Sequence, residues 1–244
     1  MSRRATQGSA RSRRTPVPTQ AGGGPSIPRA PIIALLGIAA VVGLFAYLVW
    51  QTTKPAGNRF EGAAAAEADP NPELPGEFVN LQTIYGGAYG SVEGTTTAPH
   101  VTRDVDYLED QGELPPAGGP HWGTAGACPT DPEDAPLYCG PVPWGIHRQP
   151  WRMESVVHNM EHGGAILWYN TTDQGIIDEL EDLIKGRLNR GDLLVMVPLP
   201  EMEEETIAVS SWSRRDKFSV DEYNRNRVEE FFDKNERRFN PEDF

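Results

Sequence analysis

The chain has 244 residues, room for one folded domain with appendages. Its formal charge of −13 is unevenly spread, with six arginines and no acid in residues 1–30, no charge in residues 31–50, and so −19 over residues 51–244. A body this acidic lacks the cationic face that phosphate backbones require, which excludes nucleic acid as a partner.

Residues 1–30 are rich in Arg, Ser, Thr, Gly and Pro, have almost no apolar periodicity, and read as a disordered basic cytoplasmic tail. Pro31–Trp50 (PIIALLGIAAVVGLFAYLVW) follows with no charge. A helix of about twenty residues spans about 30 Å, the thickness of a bilayer's hydrocarbon core. Tyr47 and Trp50 stand where interfacial aromatics belong. The arginines before the span place the N-terminus in the cytoplasm and residues 51–244 outside the cell membrane. A cleaved signal peptide would need a small-residue site close behind the apolar run, and Ala63–Ala66 comes too late. A buried core helix would carry polar residues on one side. A retained single-pass signal anchor in the lipid bilayer is the reading preferred over both.

Residues 51–96 read as a flexible tether followed by glycine-rich loops (Ile84–Gly94), and residues 97–244 as the extracytoplasmic domain. His100–Tyr107 alternates loosely, as a strand does. Residues 111–151 hold many prolines and glycines and predict long ordered loops. Met153, Val156, Val157 and Met160 form a helical stripe over Arg152–His162, closed by Gly163-Gly164. Ala165–Tyr169 (AILWY) reads as a buried strand. Thr172 or Asp173 caps a helix to about Asn189, with Ile176, Ile177, Leu180, Leu183, Ile184 and Leu188 inward. Leu193–Leu199 and Thr206–Trp212 are further strands, separated by an acidic turn at Glu201–Glu205, and Val220–Arg238 is a terminal helix. The fold class expected is α+β: a mixed sheet with flanking helices in a β-α-β-β-α core, whose first crossover is parallel, preceded by one transmembrane helix.

Chemistry is concentrated in Pro115–Gly164. This window holds both cysteines, three of the six tryptophans and four of the five histidines; the fifth, His100, lies just upstream. Outside the membrane thiols oxidise, so Cys128 and Cys139 read as a structural disulfide, a crosslink that typically adds ~3 kcal/mol. His158 and His162 are four apart on the proposed helix and share a face. His121 leaves a PPAGGP segment whose prolines and glycines fix a tight path. A site of His121, His158 and His162, with His147, Glu161, Met160 or water as a further ligand, suits copper or zinc. Against this, a histidine near a helix C-terminus is favoured by the macrodipole and often just hydrogen-bonds carbonyls. His158–His162 also spells H-x-x-E-H, the inverted zinc-protease motif with Glu161 as general base, on a body small for that architecture.

PPAGGPH (115–121) and VHNMEHGGAILWY (157–169) resemble the two signature segments of the prokaryotic domain-of-unknown-function family numbered 3105, membrane-anchored extracytoplasmic proteins. The resemblance runs from about His100 to the C-terminus and includes a later strand with a tryptophan, here Trp212, and a terminal helix. Ala117 and Gly118 stand where Thr and Ser are usual, and Met160 where Leu is usual. The resemblance carries no assigned activity; it implies that His121, His158, Glu161 and His162 belong to a shared site. Three functions remain: a membrane-anchored metal-handling or accessory domain, a metal-free structural subunit or interaction module of a membrane protein complex, and a zinc metallohydrolase.

Overall fold

The computed structural model describes residues 41–44, 65–85, 100–123 and 139–239, in two compact units, Met1–Lys54 and Pro55–Phe244. In the first unit residues 41–44 are helical, with Val41, Val42 and Leu44 exposed. No helix among the described residues is long and apolar enough to cross a membrane, and most of the expected 31–50 span lies outside them. So do Cys128 and most of the expected glycine-rich loops.

The second unit is a mixed α+β fold. Its strands are β1 (Glu77–Phe78), β2 (His100–Val101), β3 (His121–Trp122), β4 (Gly145–Ile146), β5 (Ala165–Asn170), β6 (Leu194–Pro198), β7 (Thr206–Ser211) and β8 (Arg214–Ser219). Its helices are α1 (Leu81–Tyr85), α2 (Tyr107–Gln111), α3 (Met153–Glu161), α4 (Gln174–Leu188) and α5 (Arg225–Asn235). One six-stranded sheet runs β1-β8-β7-β5-β6-β4, and β2 and β3 form a separate parallel pair. The β5-α4-β6 crossover is parallel, as expected, while β7 and β8 join antiparallel.

Both faces of the sheet are covered, which explains its continuous apolar strands. Along β5 the side chains alternate. Ala165, Leu167 and Tyr169 pack with Leu180, Leu183 and Ile184 of α4 and Val228, Phe231 and Phe232 of α5. Ile166 and Trp168 pack on the opposite side with Val156, Val157 and Met160 of α3. Helix α4 starts where Asp173 Oδ1 accepts from Gly175 and Ile176 N–H. Helix α3 ends in a Schellman turn: Gly163 has φ +82°, its N–H donates to Met160 O, and Gly164 N–H donates to Asn159 O.

Three elements differ from expectation. The loose alternation at His100–Tyr107 yields only the two-residue β2, because α2 begins at Tyr107, capped by Asp106. The expected terminal helix is shorter, since its first residues form a 3-10 turn and Asn224 caps α5. Strand β8 lies ahead of it, unforeseen in a segment reading RRDKFS.

Residues 65–85 belong to the folded body, whereas composition places them in the tether. Glu67 is buried and its Oε1 accepts from Trp212 Nε1 at 2.8 Å. Arg214 donates to the carbonyls of Asp69, Asn71 and Gly76, and β1 pairs with β8. Leu81 is wholly buried. Deleting Leu81's packing alone costs ~2–5 kcal/mol. A chain beginning at Thr97 should therefore melt at least ~5 °C below one beginning at Pro55, as thermal circular dichroism would show.

Candidate metal centre

The short parallel ladder creates the centre's first half. His100 pairs in register with His121, and Val101 with Trp122, so the two histidines project to one face. The PPAGGP turn delivers His121 to that position. Gln111 Oε1 accepts from Ala117 N–H at 3.0 Å, Gln111 Nε2 donates to Gly118 O at 2.7 Å, and Tyr107 Oη donates to Pro120 O at 2.6 Å. Gly119 has φ +117°, and a Cβ there would stand 2.6 Å from the Tyr85 ring, so the residue must be glycine.

Helix α3 supplies the second half. Glu154 Oε1 accepts from Val105 N–H at 2.9 Å and fastens the helix to the chain following β2. Asn159 forms a reciprocal pair with Val142, accepting from its N–H at 2.8 Å and donating to its carbonyl at 2.9 Å. His158, between these anchors, and Glu161, just past them, face the ladder.

The result is a cluster of His100, His121, His158 and Glu161 that can hold a metal ion, with one ligand atom from each lying within 4.8 Å of the others. The three imidazole centroids make a nearly equilateral triangle of 4.9, 5.0 and 5.1 Å. Glu161 Oε2 lies 2.9 Å from His121 Nε2, 3.3 Å from His100 Nε2 and 3.9 Å from His158 Nε2. A tetrahedral shell with bonds of ~2.0–2.1 Å sets its corners about 3.3 Å apart, within that spread.

Outer hydrogen bonds aim the rings. His121 Nδ1 donates to Gly119 O at 2.8 Å, and His158 Nδ1 donates to Trp122 O at 2.7 Å. A carbonyl only accepts, so Nδ1 carries a proton in both, and each ring turns its Nε2 inward. Burial, reinforced by the neighbouring His121, lowers the His158 pKa to about 3 despite the opposing pull of Glu161. His158 is therefore neutral, as a ligand must be, at ordinary pH.

Of the residues expected from spacing, His121, His158 and Glu161 meet; His162, His147 and Met160 lie elsewhere. At 100° per residue, Glu161 and His162 fall on opposite sides of His158. The His162 ring stacks on His158 at 4.8 Å and lines a pocket of about 240 Å³ with Val142, Trp144 and Asn159. Met160 points into the core, and His147 Nε2 donates to Pro143 O at 2.8 Å. Of the H-x-x-E-H string, His158 and Glu161 thus fall in the cluster and His162 does not. His100 was missing from the expected set. Its one signal is its place just upstream of the window that holds the other four histidines.

The model of the family described as "Protein of unknown function (DUF3105)" matches residues 100–243, more than half of the chain. The chain belongs to this family. All four cluster residues fall inside the matched region, as do Gln111, Gly119 and Asn159, which hold them in place. No curated protein and no solved structure matches the chain.

The depressed His158 pKa fixes a pH dependence. The unfolded state takes up a proton near pH 6.5 and the folded state only near pH 3. The stabilisation from a neutral His158 is full above 6.5 and is lost as pH falls towards 3. Urea unfolding of the metal-free chain should show a steeper loss over that window for the wild type than for His158→Gln.

Proposed function

We propose that this chain is a single-pass membrane-anchored protein that displays a histidine metal centre outside the cell, serving metal handling or as an accessory to a membrane protein complex. The observation that carries the reading is the convergence of three Nε2 atoms on the buried Glu161 carboxylate, two of those rings being pinned through Nδ1. The donors are nitrogen and carboxylate oxygen, a set suited to Cu²⁺ or Zn²⁺. Met160 points into the core, His162 falls outside the cluster, and Cys139 has no free thiol. Monovalent copper, which favours soft sulfur, is the poorer match. The apolar Pro31–Trp50 run and the arginines before it support the anchor and its orientation. A Cys128–Cys139 disulfide fits the same oxidising compartment.

A metal-free interaction module is the second reading. It is favoured by the 2.9 Å His121–Glu161 contact, in which a shared proton satisfies both buried groups. The two readings separate on metal content. Full-length protein should carry one Cu²⁺ or Zn²⁺ per chain by elemental analysis, and His158→Ala should lose it. An equal, negligible metal content in both proteins would favour the module.

The same contact predicts a proton count. With Nδ1 of His121 donating to Gly119, the short Nε2–Oε2 contact requires a second proton, which a metal displaces. Calorimetric titrations in buffers of different ionisation enthalpy should report about one proton released per metal bound near neutral pH.

A further inference from the structure

The four cluster residues are unequally sealed. The side chains of His121 and Glu161 are closed to solvent and that of His158 is 4% exposed, whereas that of His100 is 30% exposed. His121 is further walled by the edge-on ring of Trp212 at 6.0 Å, and His158 by the stacked ring of His162. Moving either imidazole away would break a buried hydrogen bond to Gly119 or Trp122 and strand its partner carbonyl, at a cost in stability. His100 sits on the two-residue strand β2, at the water-facing corner.

We propose that His100 is the exchangeable corner of the centre: it leaves a bound divalent metal so that an external imidazole, such as a histidine of a metal-delivering or metal-receiving protein, takes its place. This rests on the metal-binding reading above and adds a route by which the ion enters and leaves. His121, His158 and Glu161 keep the ion throughout. One metal–nitrogen bond breaks, one forms from the incoming lone pair, and no electron moves. Closed structural sites offer no such corner, while sites that exchange ligands keep one position open to solvent. Among the four, the exposed His100 side is the one an external donor can reach, while approach at His121 or His158 would break a buried hydrogen bond.

The test uses the full-length chain in detergent, loaded with Cu²⁺ and read by its visible spectrum and by the rate of metal loss to a chelator. The His100→Ala variant should keep one metal per chain but lose it at least about tenfold faster, and added imidazole should restore both spectrum and rate. In His158→Ala, affinity should fall by more than the ~10–100-fold that loss of an outer hydrogen-bond partner costs, with no recovery in imidazole, because that corner is closed. The proposal is overturned if His100→Ala is as metal-poor as His158→Ala, or if imidazole rescues both alike. Should His100→Ala fail to fold, His100→Gln carries the same comparison. Imidazole should also shift the wild-type spectrum saturably; an unchanged spectrum overturns the proposal without any variant. A wild type that takes up no metal removes the metal-binding reading itself, an outcome seen before any variant is compared.

Discussion

A carboxylate with no exposed surface governs the centre of this fold. Glu161 is wholly buried, and an ionised carboxylate left alone in that position would cost several kcal/mol. Three imidazoles lie within 3.9 Å of its Oε2, and two of them are held through Nδ1 so that Nε2 faces it. Neutral rings alone do not balance the charge; a proton or a metal cation must be shared among them. The surrounding structure fixes where that positive charge sits. Gln111, Tyr107 and Gly119 hold the turn before His121, while Glu154 and Asn159 hold the helix that carries His158 and Glu161.

The sheet's centre was legible because its strands are buried on both faces. AILWY and LLVMVP are continuous apolar runs, and Asp173 caps the helix between them through an ordinary side-chain bond. Strand β8 escaped the same reading because its charges are internal. Arg214 and Arg215 are both buried, and each donates to main-chain carbonyls of other segments. The 65–85 segment escaped for the complementary reason. It is held by a few anchors, Glu67 on Trp212, carbonyls on Arg214 and Arg238, and Leu81, none of which produces a periodic pattern. A tether and a clasp of this kind have the same composition. The clasp also lies outside the residues shared with the family, whereas the centre lies inside them.

The centre itself was half legible. Confinement of the histidines to one stretch gave its location, and the helical stripe placed His158 and Glu161 on a real helix. The choice of His162 over Glu161 as the helix's second ligand followed the familiar i, i+4 spacing, but the helix presents its i, i+3 pair to the ladder and turns His162 onto the other side of His158. His100 was invisible to any local pattern. It meets His121 through a parallel pairing of two residues each, and nothing in either dipeptide announces the other. Contacts across so short a ladder are decided by what packs around it, here the bonds from Trp122 to Arg103 and from Val105 to Glu154.

The sign of the local field narrows what the centre accepts. Glu161 is the last residue of α3, so the cluster lies at a helix C-terminus, where the macrodipole presents about half a negative charge. The body of the chain is strongly acidic as well. Both fields attract cations and repel phosphates and carboxylates, so an anionic substrate would approach against them. The helix end, the buried carboxylate and the inward Nε2 of neutral His158 act with one sign, the sign that suits a cation. The imidazoles alone would suit an anion site if protonated, but burial holds His158 neutral until about pH 3. The helix, the ladder and the glycine turn jointly build a cluster that could hold a cation.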